Sequence, residues 1–336
     1  MIENATTPLN PAATLHYTPD RRFKTARLSL FTVLPADAEG SPLTTLLFGI
    51  LRRGCESYPR LALLNRRLDE LYGTTLTIRN YLHGDNHVVC YTAEMLEQAF
   101  LPPFDAHMDI LGGVMELLSA MILHPLRGEN GLLRAEAVEM EKQSLCDSLN
   151  SLRNDTRTYA GNRLREIMCA GQPYGISIGG TVEGVTAITP EQVTAHHEAL
   201  LRNTRMEVFY TGRASKEDVM AAWQKGFGSW DPQPLSLSPT SVHMPPPDPQ
   251  HVTEDMEVSQ GKLCMGWSCG ESYATLKDTP DTLAAYAVCN ELFGVMQSSL
   301  LFRHVRDNSL LHVQLSCPAC ALPVCHTAAT PHVLGS

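Results

Sequence analysis

The sequence has no run of about 18 or more consecutive apolar residues, so no helix that spans a membrane is expected. It also lacks a basic surplus. Its 26 Lys and Arg stand against 36 Asp and Glu, for a formal net charge of −10. A nucleic-acid backbone is therefore excluded as the main ligand, because phosphate binding needs a concentrated basic surface. The opening "MIENATTPLNPAATLHYTPDRRF" has no basic head followed by an apolar core, so it does not read as a secretory signal. No paired cysteine spacing runs through the chain: the ten cysteines are scattered, and Cys90, Cys146 and Cys289 fall inside helix or strand patterns. Reduced thiols in a cytoplasmic protein are the expected reading.

What is present is an ordinary globular composition, 43% hydrophobic and 18% charged over 336 residues. At roughly 150 residues per domain, that length suggests two domains. Residues 1–24 are polar and Pro-containing and read as an irregular arm. "ARLSLFTVLP" reads as a strand ending at Pro35. Ser41 as N-cap, Pro42 behind it and Gly54 as stop bound a helix containing "TLLFGILRRG". A second helix, two strands joined at His83-Gly84-Asp85, four helices, the strand "RMEVFYTGR" and a helix from "SKEDVMAAWQKGFG" follow. Sequence-adjacent strands with clustered helices make this an α+β arrangement rather than a regular βαβ alternation.

The expected organisation is an arm at 1–24, a first α+β domain at 25–229, a Pro-rich linker at 230–253, a partial second domain at 254–316 and an irregular tail at 317–336. The second unit repeats the strand-then-helix opening of the first but is far shorter. From this we expect a truncated second half, or a tail out of register with its natural continuation.

Several strings occur in order that resemble the insulinase/pitrilysin family of zinc peptidases, the inverzincins, and most of all its non-catalytic bacterial members. They are "LRRGCESYP" with "LDELYG", "VEMEK", "QPYGISIGGTVEGVTAITPEQV", "VFYTGRAS" and "ELFGVMQSSLLFRHVRDNSLLHV". The resemblance spans about residues 23–316 and implies a metallopeptidase-like (LuxS-type) αβ sandwich with two similar halves around an interior chamber. Active members carry H-x-x-E-H on the first helix: two imidazoles one turn apart bind Zn²⁺, the Glu is the general base, and a distant Glu completes the ligands. Counted back from Gly54, these positions fall on Thr45, Phe48 and Gly49, none of which can serve. The distant ligand has a counterpart in Glu141, as a relic position. Active relatives also hold substrate with an Arg and a Tyr. Arg306 matches the Arg as a substrate-binding position, and the Tyr position falls near His312–Val313.

The resemblance thus implies a pseudoenzyme with no catalytic residues, no metal and no cofactor. Its implied partners are a zinc-motif homologue and an extended peptide, with neither nucleic acid nor membrane. Relatives of this kind are often labelled as associated with elongation factor P modification.

Three other candidates are weaker. Gly175–Gly179, "GISIG", fits the G-x-S-x-G of serine hydrolases with Ser177 as nucleophile, but lacks the strand before and helix after that the elbow needs. His196 and His197 are adjacent and point about 100° apart on a helix, so they cannot share a metal. Cys317-x-x-Cys320 with Cys325-His326 has roughly metal-ligand spacing but no hairpin pattern to hold it. A serine hydrolase and a truncated structural remnant remain the alternative readings.

Overall fold

The computed structural model describes residues 5–238, 248–257, 261–268, 280–295, 298–300, 303 and 324–329. They fall into two compact units. The first comprises residues 1–82, 86–147 and 177–238, and the second 83–85, 148–176 and 239–336.

The first unit is a two-layer αβ sandwich. Its strands are β1 (Ala5–Asn10), β2 (Ala13–Pro19), β3 (Thr25–Pro35), β4 (Thr75–His83), β5 (Asn86–Leu96) and β7 (Met206–Gly212), in the order β1-β2-β7-β3-β5-β4. Between β5 and β7 run α3 (Ile110–Leu123), α4 (Ala135–Leu152), α5 (Thr156–Met168), α6 (Val182–Ala187), α7 (Pro190–Arg202) and the short β6 (Asn203–Thr204), of which α5 and the last residues of α4 belong to the second unit. Earlier come α1 (Gly40–Leu51) and α2 (Leu61–Glu70); α8 (Lys216–Phe227) and the short β8 (Gln233–Pro234) come last. The sheet is mixed, with β2 parallel to β7 and β3 antiparallel to both β5 and β7.

Register follows from the two-residue period of the strands. Leu28, Leu30 and Thr32 of β3 stand opposite Ala93, Tyr91 and Val89 of β5, and opposite Tyr210, Val208 and Met206 of β7. All nine are buried and form the sheet's half of the core. The helices supply the other half through Leu46, Leu47, Met115, Leu118, Val193, Trp223 and Phe227. Glu94, Glu207 and Phe209 alternate onto the other face.

The structure corrects the arm expected at 1–24. Residues 5–10 and 13–19 are β1 and β2, with Ala13 and Leu15 buried in the core. The Asn10-Pro11 turn between them is closed by the Asn10 side chain, which accepts from Ala12 N at 2.9 Å. Pro8 and Pro11 made the segment read as irregular, but β1 is an edge strand, where a missing donor is tolerated. The N-cap of α1 also differs: the Asp37 carboxylate, not Ser41, accepts from Glu39 N and Gly40 N, at 3.0 and 2.5 Å. Thr189 caps α7 in reciprocal form with Gln192.

In the second unit, Val324–Ala329 (β10) pairs antiparallel with Leu263–Ser268 (β9), so the segment expected to be an irregular tail contains a strand. Arg163 of α5 bonds Glu254 at 2.8 Å and Glu166 at 2.5 Å, and Tyr159 donates to Glu254 at 2.7 Å. Pro280–Asn290 is a helix (α9). Among the described residues, no helix is long and apolar enough to cross a membrane.

His87, opposite Leu34 on β5, is fully buried, and neither of its ring nitrogens has a hydrogen-bond partner. Burial, reinforced by His196 and partly offset by Asp37, pushes its pKa down from 6.5 to about 4. The folded state therefore keeps it neutral, while the unfolded chain takes up a proton near 6.5. Its contribution to stability is complete above pH 6.5 and is lost as pH falls through 4. Thermal melts should show a loss on the order of 3 kcal/mol across that window. His87→Phe should flatten the dependence; an unchanged profile would contradict it.

Candidate functional site

Helix α1 carries the positions of interest, and nearly all of it is buried. Leu46, Leu47, Phe48, Ile50 and Leu51 are each at most 6% exposed. An apolar set of this width holds a helix by packing rather than by one amphipathic stripe. Residues 45 and 49, one turn apart, are half-exposed, as are Gly40 and Leu43 nearer its start.

Each position has an occupant with a definite contact. Thr45 Oγ1 donates to Ile178 O at 2.7 Å and accepts from Asn80 Nδ2 of β4 at 3.0 Å. The Phe48 ring packs tilted on the fully buried Tyr91 ring, with centroids 5.7 Å apart. A carboxylate there would have to ionise inside an apolar cluster. Gly49 faces Glu141 of α4: a Cβ at residue 49 would lie 2.2 Å from Glu141 Oε1 and 2.4 Å from its Cδ. The acid thus occupies the volume of the side chain that Gly49 does not have.

Glu141 is held there by Arg53, four residues after Gly49. The Nε and Nη2 of Arg53 lie 2.7 and 2.6 Å from Glu141 Oε2. Both side chains are mostly withdrawn from water, Arg53 at 31% and Glu141 at 13% exposure. Next to it, Lys142 Nζ donates to Ile188 O and to Glu139, at 2.9 and 3.0 Å. Glu141 is thus an ion-paired carboxylate, with its partner in the turn that follows α1.

Zinc does not fit this donor set. One carboxylate already engaged by a guanidinium stands with a hydroxyl, a benzyl ring and a bare Cα. Among the described residues, no group of three or more His, Cys, Asp or Glu could hold a metal ion.

The remaining candidates are not brought to this site. Ser177 lies in a loop between a 3₁₀ turn (Pro173–Gly175) and α6, and its hydroxyl donates to Gly180 O at 3.3 Å rather than to an imidazole. His196 Nε2 pairs with Thr44 Oγ1, and His197 Nε2 donates to Ile122 O, each at 2.8 Å. The two rings therefore serve separate packing contacts. Arg306, His312, Val313, Cys317 and Cys320 lie outside the described residues. Cys325 and His326 are successive residues of β10, opposite Trp267 and Gly266.

Comparison with known proteins gives a consistent picture. Residues 187–316 match the family model described as the peptidase M16 inactive domain. A Bacillus subtilis (strain 168) protein named "Probable inactive metalloprotease YmfF" is 27% identical over 298 residues, covering 89% of this chain and 68% of that protein. Among solved structures, a conserved protein from Enterococcus faecalis V583 superposes with a TM-score of 0.86 at 22% identity, covering 98% of this chain and 75% of that one. A protease from Helicobacter pylori gives 0.75 at 13% identity, covering 99% and 76%. At such identities these two establish the fold alone.

The ion pair can be tested by a double-mutant cycle. Arg53→Met should cost about 1–2 kcal/mol, since it strands a mostly buried carboxylate, and Glu141→Gln a similar amount. The double variant should lose clearly less than their sum in denaturant melts. Strict additivity would show that the two side chains do not interact.

Proposed function

We propose that this chain, which resembles the inactive members of the insulinase-type (M16) peptidases, works as a binding subunit, holding an extended peptide for a zinc-motif homologue to cleave. The observation that carries this reading is the combination at α1: the ligand positions are filled by packing, while the sheet beside them ends in an open edge. That edge is β4, which terminates the six-stranded sheet. Its residues alternate exposed and half-buried from Thr75 to His83. Asn80 ties it to Thr45 on α1. An open edge can accept a further strand through main-chain hydrogen bonds, with little regard for sequence. A peptide so held would run past the position where an active relative keeps its metal.

In this reading Arg306 contributes to holding the peptide, Glu141 is a relic of the ligand set, and Thr45, Phe48 and Gly49 are its degenerate positions. The domain plan is a complete first half and a partial second half joined by the Pro-rich segment. Cys55, Cys90, Cys146, Cys169, Cys264 and Cys289 are free thiols, which suits a reducing compartment such as the cytoplasm.

The experiment is co-purification and reconstitution with the zinc-motif homologue encoded in the same genome. The pair should co-elute and cleave an extended peptide, the homologue alone should be several-fold slower, and this chain alone should cleave nothing and retain no zinc after dialysis. A backbone N-methylated version of the peptide should lose affinity for the pair. Recovery of this chain alone would refute the pairing, and one tightly held zinc per chain would refute the reading of α1.

A further inference from the structure

The loop between β2 and β3, Arg21-Arg22-Phe23-Lys24, is exposed throughout. It is stitched to two other segments of the first unit. Glu97 N donates to Lys24 O at 2.9 Å, and Asp20 N donates to Gly212 O at 2.8 Å. Arg213 N donates to the buried Glu97 carboxylate at 2.5 Å. The Arg213 guanidinium then reaches back over the loop, donating to Phe23 O at 3.3 Å and to Arg21 O. The same guanidinium lies 5.0 Å from the Phe100 ring centroid, and the Lys24 ammonium 5.8 Å from it. Arg22 is spent locally: it sits over the Phe23 ring and pairs with Asp20 at 2.6 Å.

The product is a fixed surface of cations and rings. Phe23 is 56% exposed, and Phe104, four residues after Phe100, is 76% exposed. Among the described residues, no ion pair uses Arg21, Lys24 or Arg213. A chain with net charge −10 does not need such a cluster for solubility. Two of the five Arg213 donors are engaged by carbonyls, which orients the others without neutralising them.

We propose that this surface docks a short acidic segment of another protein that also carries an apolar side chain. Carboxylates would meet Arg21, Lys24 and the free donors of Arg213 in charge-assisted hydrogen bonds. The apolar side chain would cover Phe23, whose large exposed ring gains most from leaving water. Charge complementarity favours a narrow segment over an anionic membrane. A bilayer's field acts on every charge within roughly 10 Å of its surface, where a strongly acidic chain is repelled. A peptide samples only the patch.

The test uses the full chain and a fluorescein-labelled dodecapeptide of Glu, Asp and Leu, read by anisotropy. The controls are the same peptide with Lys for each acid, and phosphatidylserine/phosphatidylcholine vesicles. The acidic peptide should bind, and raising salt from about 0.05 to about 0.5 M should weaken it strongly. The double variant R21E/K24E, shown by thermal melting to be folded, should lose about tenfold or more, and R21K/K24R should keep the affinity. No binding of the acidic peptide, equal binding by R21E/K24E, or equal binding of the Lys peptide would overturn the proposal. Vesicle co-sedimentation stronger than peptide binding would overturn it in favour of lipid.

Discussion

The contact of Glu141 with the bare Cα of Gly49, held by Arg53, sets what α1 and α4 can be. A carboxylate lodged against a helix backbone needs two things. It needs an absent side chain to make room, and it needs a positive charge to offset its removal from water. Gly49 provides the first and Arg53, in the turn that follows α1, the second. A guanidinium just past the end of α1 thus meets the α4 carboxylate.

The other substitutions follow from that geometry. Phe48 joins the core on Tyr91. Thr45 bridges Ile178 and Asn80 with one hydroxyl, as donor to the first and acceptor from the second. The helix is thereby locked to the loop before α6 and to β4. Among the described residues β4 ends the sheet beside it, and strand addition asks nothing of α1 except that it stay in place. The proposed role, binding without turnover, needs no more than this from α1.

Where local rules dominated, sequence and structure agree. β3 and β7 have apolar residues at a period of two, and they pair with those residues on one face. Thr189, Pro190 and Gln192 announce the start of α7, and the reciprocal cap is there. Where pairing was non-local, reading failed. β2 is a short strand between prolines whose reason to be extended is its parallel partner β7, almost two hundred residues away. The cap of α1 came from Asp37 rather than Ser41 because an Asx turn placed the carboxylate ahead of the helix. β10 has no pattern of its own and is a strand through its pairing with β9.

The sequence by itself determined that α1 carries a hydroxyl at Thr45, a benzyl ring at Phe48 and no side chain at Gly49, because residue identity alone decides whether a lone pair or a base is available. It also determined the α+β class, since hydrophobic period and capping chemistry are local. Only the tertiary structure decided which cation answers Glu141, which ring covers Phe48, and which strand is left at the open edge of the sheet. Those are meetings of segments far apart along the chain, and no local pattern encodes the space between them.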